Sequence, residues 1–270
     1  MQKSKYLMES DEEALRLDIK TDIRAVERQA LWAGIKPGMR IADLGCGSGK
    51  TTSVLKKLVQ PGGSAVGVDF AAERIEFARS HYNGSEIEFK CMDVREPLDS
   101  LGRFDFVWIR FVLEYYHLDS IKIIQNISNI LKPGGILCLV DLDHNCLSHF
   151  GIPKRLERTI NAIMRQLEEK ADFDPYVGRK LYSFMYDLGY DDINVDVSAH
   201  HIIFGQLKDS DAFNWIKKVE VAPKKIGFRF EEYEGGYEEF KEEFEEFFRN
   251  PRRFTYTPLI SCRGCKPLKP

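Results

Sequence analysis

Asp43-Leu44-Gly45-Cys46-Gly47-Ser48-Gly49 is the segment of this chain best suited to chemistry. Glycines at that spacing let the backbone turn sharply and approach a ligand without a Cβ in the way. The pattern is G-x-G-x-G, whereas a dinucleotide loop reads G-x-G-x-x-G and cradles pyrophosphate. An acid immediately ahead of it repels pyrophosphate and suits a ligand with an ammonium or sulfonium group. Two more acids follow at intervals. Asp69 closes an apolar run 20 residues beyond Gly49, where a carboxylate can accept from both hydroxyls of a ribose. Asp93 closes the next run. There it can accept from an adenine amino group while the amide of Val94 donates to a ring nitrogen.

The elements that must position these residues alternate in period. Strand patterns at 39–44, 64–70, 87–93, 104–109 and 136–142 are separated by helical spacing at 50–60, 71–82 and 121–131, and Pro61-Gly62-Gly63 and Pro133-Gly134-Gly135 mark breaks. Such alternation predicts βαβ units and a parallel sheet. The nearly continuous apolar run at 136–140 suits a strand covered on both faces. Ahead of the sheet, residues 9–33 read as one helix opened by a capping box, Ser10 with Glu13. Beyond it, 153–170, 176–188, 209–219 and 229–249 read as helical, with strands at 193–204 and 255–262. Tyr237, Phe240, Phe244 and Phe247 share a helix face opposite nine glutamates between Glu231 and Glu246. This is the pattern of an amphipathic helix, and its place between the last two strands suits an aromatic lid.

Taken together, IADLGCGSGKTT (41–52), VGVDFAAERIEFAR (66–79), IEFKCMDVREP (87–97), FDFVWIRFVLEYY (104–116) and LKPGGILCLVD (131–141) resemble the class I S-adenosylmethionine-dependent methyltransferases. The resemblance is to their small-molecule branch, which includes ubiquinone/menaquinone-type and natural-product enzymes. It covers about residues 5–145, with 190–204 and 254–267 as closing strands. It implies a Rossmann-like doubly wound α/β sheet, mostly parallel with an antiparallel closing strand, plus a helical lid. By resemblance, residues 1–36 would close the cofactor site, 37–145 would hold S-adenosylmethionine, and 146–270 would supply the last strands and a cap, with the lid inserted at about 205–250. The loop Gly45-Cys46-Gly47 would pack on the methionine and ribose, and Asp43 would meet the methionine amino group. Asp69 would hold the ribose, Phe70 would pack on adenine, and Asp93 and Val94 would read its edge. Arg110 and Phe111 would line the methyl end. Tyr6 and Arg16 would close the site, with Arg16 on the methionine carboxylate. Methyl transfer from a sulfonium needs placement more than covalent help, so a base matters only for an acceptor that holds its proton tightly. Glu114, His117 and His144, with Asp141 and Asp143, are the candidates; no spacing singles one out.

Composition narrows the partners. A formal net charge of −3 and a pI of about 6.1 give no basic stripe for nucleic acid. The segment after the fourth strand is Arg110-Phe111-Val112-Leu113, not the Asn/Asp-Pro-Pro-Tyr of many nucleic-acid amino methyltransferases. A small, hydrophobic acceptor is therefore preferred. A tRNA or protein methyltransferase, or a non-catalytic S-adenosylmethionine binder, is the alternative. The N-terminus lacks the apolar run of a signal peptide and no stretch suits a membrane span, so the expected location is cytoplasmic. The six cysteines read as reduced thiols. Cys262-Arg263-Gly264-Cys265 is half of a zinc pattern with no second pair, so no metal is expected.

Overall fold

A computed structural model describes residues 13–82, 84 and 86–268. Its centre is one sheet. Strands β1 (Arg40–Leu44), β2 (Ser64–Asp69), β3 (Ile87–Cys91), β4 (Phe104–Arg110) and β5 (Leu131–Leu142) run parallel in the order β3-β2-β1-β4-β5. The last strand, β8 (Phe254–Cys265), pairs antiparallel with β5 on one side and with β7 (Asp191–Phe204) on the other. A two-residue strand, β6 (His149–Phe150), extends the β5 side of β8. The alternating periods predict the parallel strands, and the antiparallel closing strand is the one that the resemblance implies.

Side chains leave successive strand residues on opposite faces, and both faces are covered. Ala42, Leu44, Val107, Ile109, Leu137 and Leu139 pack towards α5 (Ser120–Asn129) and α7 (Leu181–Asp187). Ile41, Phe106, Trp108, Cys138 and Val140 pack towards α2 (Ile23–Ala33) and α3 (Lys50–Leu58). Helix α4 (Ala72–Tyr82) closes on Cys46 and Phe89 through Ile75 and Ala78. A separate apolar cluster forms the cap, built by α6 (Lys154–Ala171), α8 (Asp209–Ile226) and α9 (Gly236–Arg249).

Several boundaries differ from the sequence reading for identifiable reasons. The helix read over 9–33 is two helices, α1 (Glu13–Lys20) and α2, because Asp22 stops the first and caps the second, accepting from the amides of Arg24 and Ala25. Ser10 of the capping box and Tyr6 lie outside the described residues. Pro133-Gly134-Gly135 is not a turn between elements but an irregularity inside β5, where Phe104 pairs with Leu131 and Phe106 with Ile136. Helix α8 continues to Ile226 and carries Pro223 in its last turn. Helix α9 starts only at Gly236, whose φ of +64° precludes helix upstream.

Candidate functional site

The carboxyl ends of β1, β2 and β4 open on one cleft, the position where open α/β sheets bind ligands. Asp43, Gly45, Cys46, Gly47, Asp69, Phe70, Val94 and Arg110 all line it. The loop is fixed by backbone geometry. Gly45, Gly47 and Gly49 have φ of +79°, +53° and +84°, and the amides of Gly45 and Cys46 both donate to the carbonyl of Val68 at 2.7 and 2.9 Å. A Cβ on Gly45 would lie 2.2 Å from Cγ2 of Val112, so glycine is required by space as well as by φ.

Asp43 is buried, and its Oδ2 accepts from Thr52 Oγ1 at 2.6 Å. Burial foremost, with Asp69 nearby, pushes its carboxyl up to about 7, against the pull of Thr52 and Arg110. Asp69 is also buried. Its Oδ2 accepts from the Gly47 amide at 3.0 Å, and its Oδ1 accepts from the Ala71 amide and from Nε and Nη2 of Arg74. Arg74 in turn stacks over Phe70, 4.9 Å from the ring centroid. Arg74 and Thr52 were missed in the sequence; each stands in the first turn of the helix that follows a strand-end acid, which is a usable signal.

Arg110 faces three acids, Asp141, Asp43 and Asp22, yet burial outweighs them and lowers its guanidinium to about 10. Its Nε is buried without a hydrogen-bond partner. Phe111 follows with φ of +57°, a left-handed conformation that costs a bulky L-residue roughly 1–2 kcal/mol. Backbone strain of this kind gathers at functional sites. Here the Arg110 guanidinium lies 4.0 Å from the Phe111 ring centroid, and the His200 ring is tilted against the same ring at 4.9 Å.

Other expected site residues stand elsewhere. Asp93 is not on the cleft wall; its carboxylate is held by Arg95, whose Nε lies 3.0 and 3.1 Å from Oδ1 and Oδ2. Arg16 does not line this cleft but the adjoining ones, which share Arg110 with it. His117 points to Glu168 and Asp174, at 3.6 and 3.3 Å, and His144 packs edge-on against Tyr176; neither lines a described cleft. Asp143 is taken by Arg179. Glu114 is different. It is buried on the short 3-10 turn Leu113–Tyr115 and lines the cleft next to the first. Asn145 Nδ2 donates to its Oε2 at 2.8 Å, and its own amide donates to Asp141 Oδ2. Burial pushes both carboxyls up. Cys262 and Cys265, three residues apart on a strand, face opposite sides of the sheet: Cys262 packs in one core and Cys265 against the other.

A strand-end acid, a glycine loop and a second buried acid around one cleft at the carboxyl ends of parallel strands define the class of a Rossmann-like α/β domain. A family model described as a methyltransferase domain matches residues 35–197, and the chain belongs to that family. Among curated proteins it is similar to the ubiquinone biosynthesis O-methyltransferase of Rhodopseudomonas palustris, 33% identical over 124 residues, covering 45% of this chain and 47% of that one. The chain spans about half the length, or less, of the curated relatives it matches. Among solved structures, a cyclopropane-fatty-acyl-phospholipid synthase-like protein from Lactobacillus casei aligns with a TM-score of 0.58 at 12% identity, over 94% of this chain and 100% of that one. The [4+2]-cyclase SpnF aligns at 0.56 and 16%, over 91% and 82%. These likenesses are of fold.

Proposed function

We propose that this protein transfers a methyl group from S-adenosylmethionine to a small-molecule acceptor. The observation that carries the reading is the single cleft shared by Asp43, the glycine loop, Asp69 and Arg110, which opens past Arg110 into a second cleft lined by Glu114. Fold alone would not suffice, since one fold hosts several chemistries and a structure named a cyclase shares this one.

The cleft's own chemistry fits the cofactor. Asp43, which among the described residues has no cation at hydrogen-bond distance, would hold the ammonium of the methionine part. Arg110, with its unsatisfied Nε, is better placed than Arg16 for the carboxylate. Asp69 Oδ2 accepts one described donor and has a lone pair left for a ribose hydroxyl. Phe70, Met92 and Val94 form apolar walls suited to adenine; Asp93 would reach the adenine edge only by turning from Arg95. When bound, the cofactor supplies a methyl carbon already electrophilic at its sulfonium. The protein's part is alignment and exclusion of water, which can supply much of the barrier reduction. Glu114, fixed by Asn145, would accept the acceptor's proton where one must leave. In this reading residues 1–36 close the cofactor site, 37–145 bind the cofactor, and 146–270 complete the sheet and cap the acceptor, in the cytoplasm. Among the described residues no helix is long and apolar enough to cross a membrane.

Calorimetric titration tests the reading. S-adenosylhomocysteine should bind and NAD should not; the reverse would refute it. Release of S-adenosylhomocysteine on adding an acceptor separates an enzyme from a passive binder. A tRNA or protein substrate is disfavoured by the net charge of −3.

A further inference from the structure

Beyond Arg110 the walls become cationic. The second cleft lies between α1, the turn Leu113–Tyr115, β7 and α8, and its lining includes Arg16, Lys20, Arg110 and Lys218 against a single carboxylate, Glu114. Among the described residues the Lys20 ammonium has neither a hydrogen-bond nor an ion-pair partner. Among the described residues Lys218 makes no ion pair either, although Glu114 lies near enough to feel its charge. The Lys218 Nζ lies 3.5 Å from Asn145 Oδ1, 3.6 Å from Cys146 Sγ and 4.9 Å from the centroid of the Trp215 ring. Arg110 is partly offset by Asp141, Asp43 and Asp22, although its Nε is unsatisfied; Lys20 and Lys218 share only Glu114, so the partly buried space keeps an excess of positive charge. Such groups are costly to desolvate unless an anion joins them, and hydrogen bonds between ionised partners are the strong ones.

We propose that this cleft is the acceptor site and that it takes an anionic acceptor, one whose carboxylate, phosphate or ionised hydroxyl sits between Lys20 and Lys218. Its role in methyl transfer rests on the function proposed above; the anion site does not. Burial, then Lys218 and Arg16, lower the Lys20 ammonium to about 7 against the pull of Glu114, as expected where cations outnumber the carboxylate beside them. Lys218 also borders an apolar cavity of about 70 Å³ walled by Trp215, Phe240 and Phe244. The anionic group should therefore be carried on a small apolar or aromatic body.

The test is a titration of the protein, with and without S-adenosylhomocysteine, using benzoate, phenyl phosphate and neutral benzamide. At least one anion should bind ten-fold or more tightly than benzamide, and the tighter of the two identifies carboxylate or phosphate as the natural group. Lys20→Met and Lys218→Met should each weaken that anion at least five-fold and leave the affinity for S-adenosylhomocysteine unchanged. Equal binding of all three probes to the unsubstituted protein overturns the proposal, and so does anion binding that survives both substitutions. The first comparison needs no variant, so the proposal stays open to refutation even if a variant fails to fold. Anion binding without S-adenosylhomocysteine binding would refute the methyltransferase reading and leave the anion site standing.

Discussion

The strand ends around Asp43 and the helical cap around Phe244 are both buried, but they are held by opposite means. At the strand ends, backbone amides and charged groups do the holding: Asp69 alone gathers two amides and the Arg74 guanidinium. In the cap, rings pack on rings, with Phe244 stacked on Phe248 at 5.0 Å and Trp215 tilted against Phe248 at the same distance. Its acidic face is not simply solvated, since Arg155 of α6 bonds to Glu239 and Glu243 of α9 at 2.8 and 3.1 Å. A cofactor common to a family can be met by fixed backbone and a few obligatory charges. An acceptor is met by side chains, which can change without altering the chain path. That contrast can be broken by experiment.

The largest effect is expected from Asp69→Ala. It breaks the buried Asp69–Arg74 ion pair, which costs about 4 kcal/mol of stability, and it should also abolish S-adenosylhomocysteine binding in calorimetry. A stable variant with unchanged affinity would show that the charge is dispensable. Phe244→Ala should cost about 3 kcal/mol as a cap cavity opens, seen in denaturant unfolding, with cofactor affinity altered less than three-fold. Loss of cofactor binding there would show that the two regions are one unit. Asp43→Asn tests the charge itself. A carboxyl raised from 3.8 to about 7 binds more protons folded than unfolded between those values, so it makes stability fall as pH rises from about 4 to about 7. The variant should lose that component of the fall, and S-adenosylhomocysteine, by supplying an ammonium, should flatten it in the unsubstituted protein. Buried His149, lowered to about 4 by desolvation, works in the opposite direction over part of that range, so the difference between variant and parent is the quantity to read. The smallest effect is expected from Arg158→Ala. Its partner is Glu232, both are at the surface, and such pairs contribute little. The melting temperature should not move measurably.

Sequence reading worked where function and folding ask for the same residues. Strands β1 to β4 were visible because their apolar runs lead into Asp43, Asp69, Asp93 and Arg110, each a punctuation mark as well as a ligand candidate. It worked poorly where a residue's role depends on a distant one. Asp22 breaks an otherwise continuous helical period, and only the cap geometry shows why. Lys20 and Lys218 are almost two hundred positions apart, so nothing local announces that they share a cleft. His117 and His144 follow strands at the active edge, yet the loops after β4 and β5 turn them to Glu168 and Tyr176. Spacing in sequence gave them the right address and no orientation.

The pairing of Phe204 with Phe254 at one end of the β7–β8 ladder has a consequence for how such a protein changes. Residues 205–253 depart from and return to the same rung, so the chain on either side is joined whatever lies between. A different loop or helix pair could be spliced there and the sheet would close as before. Diversification of what is recognised need not disturb the machinery beneath.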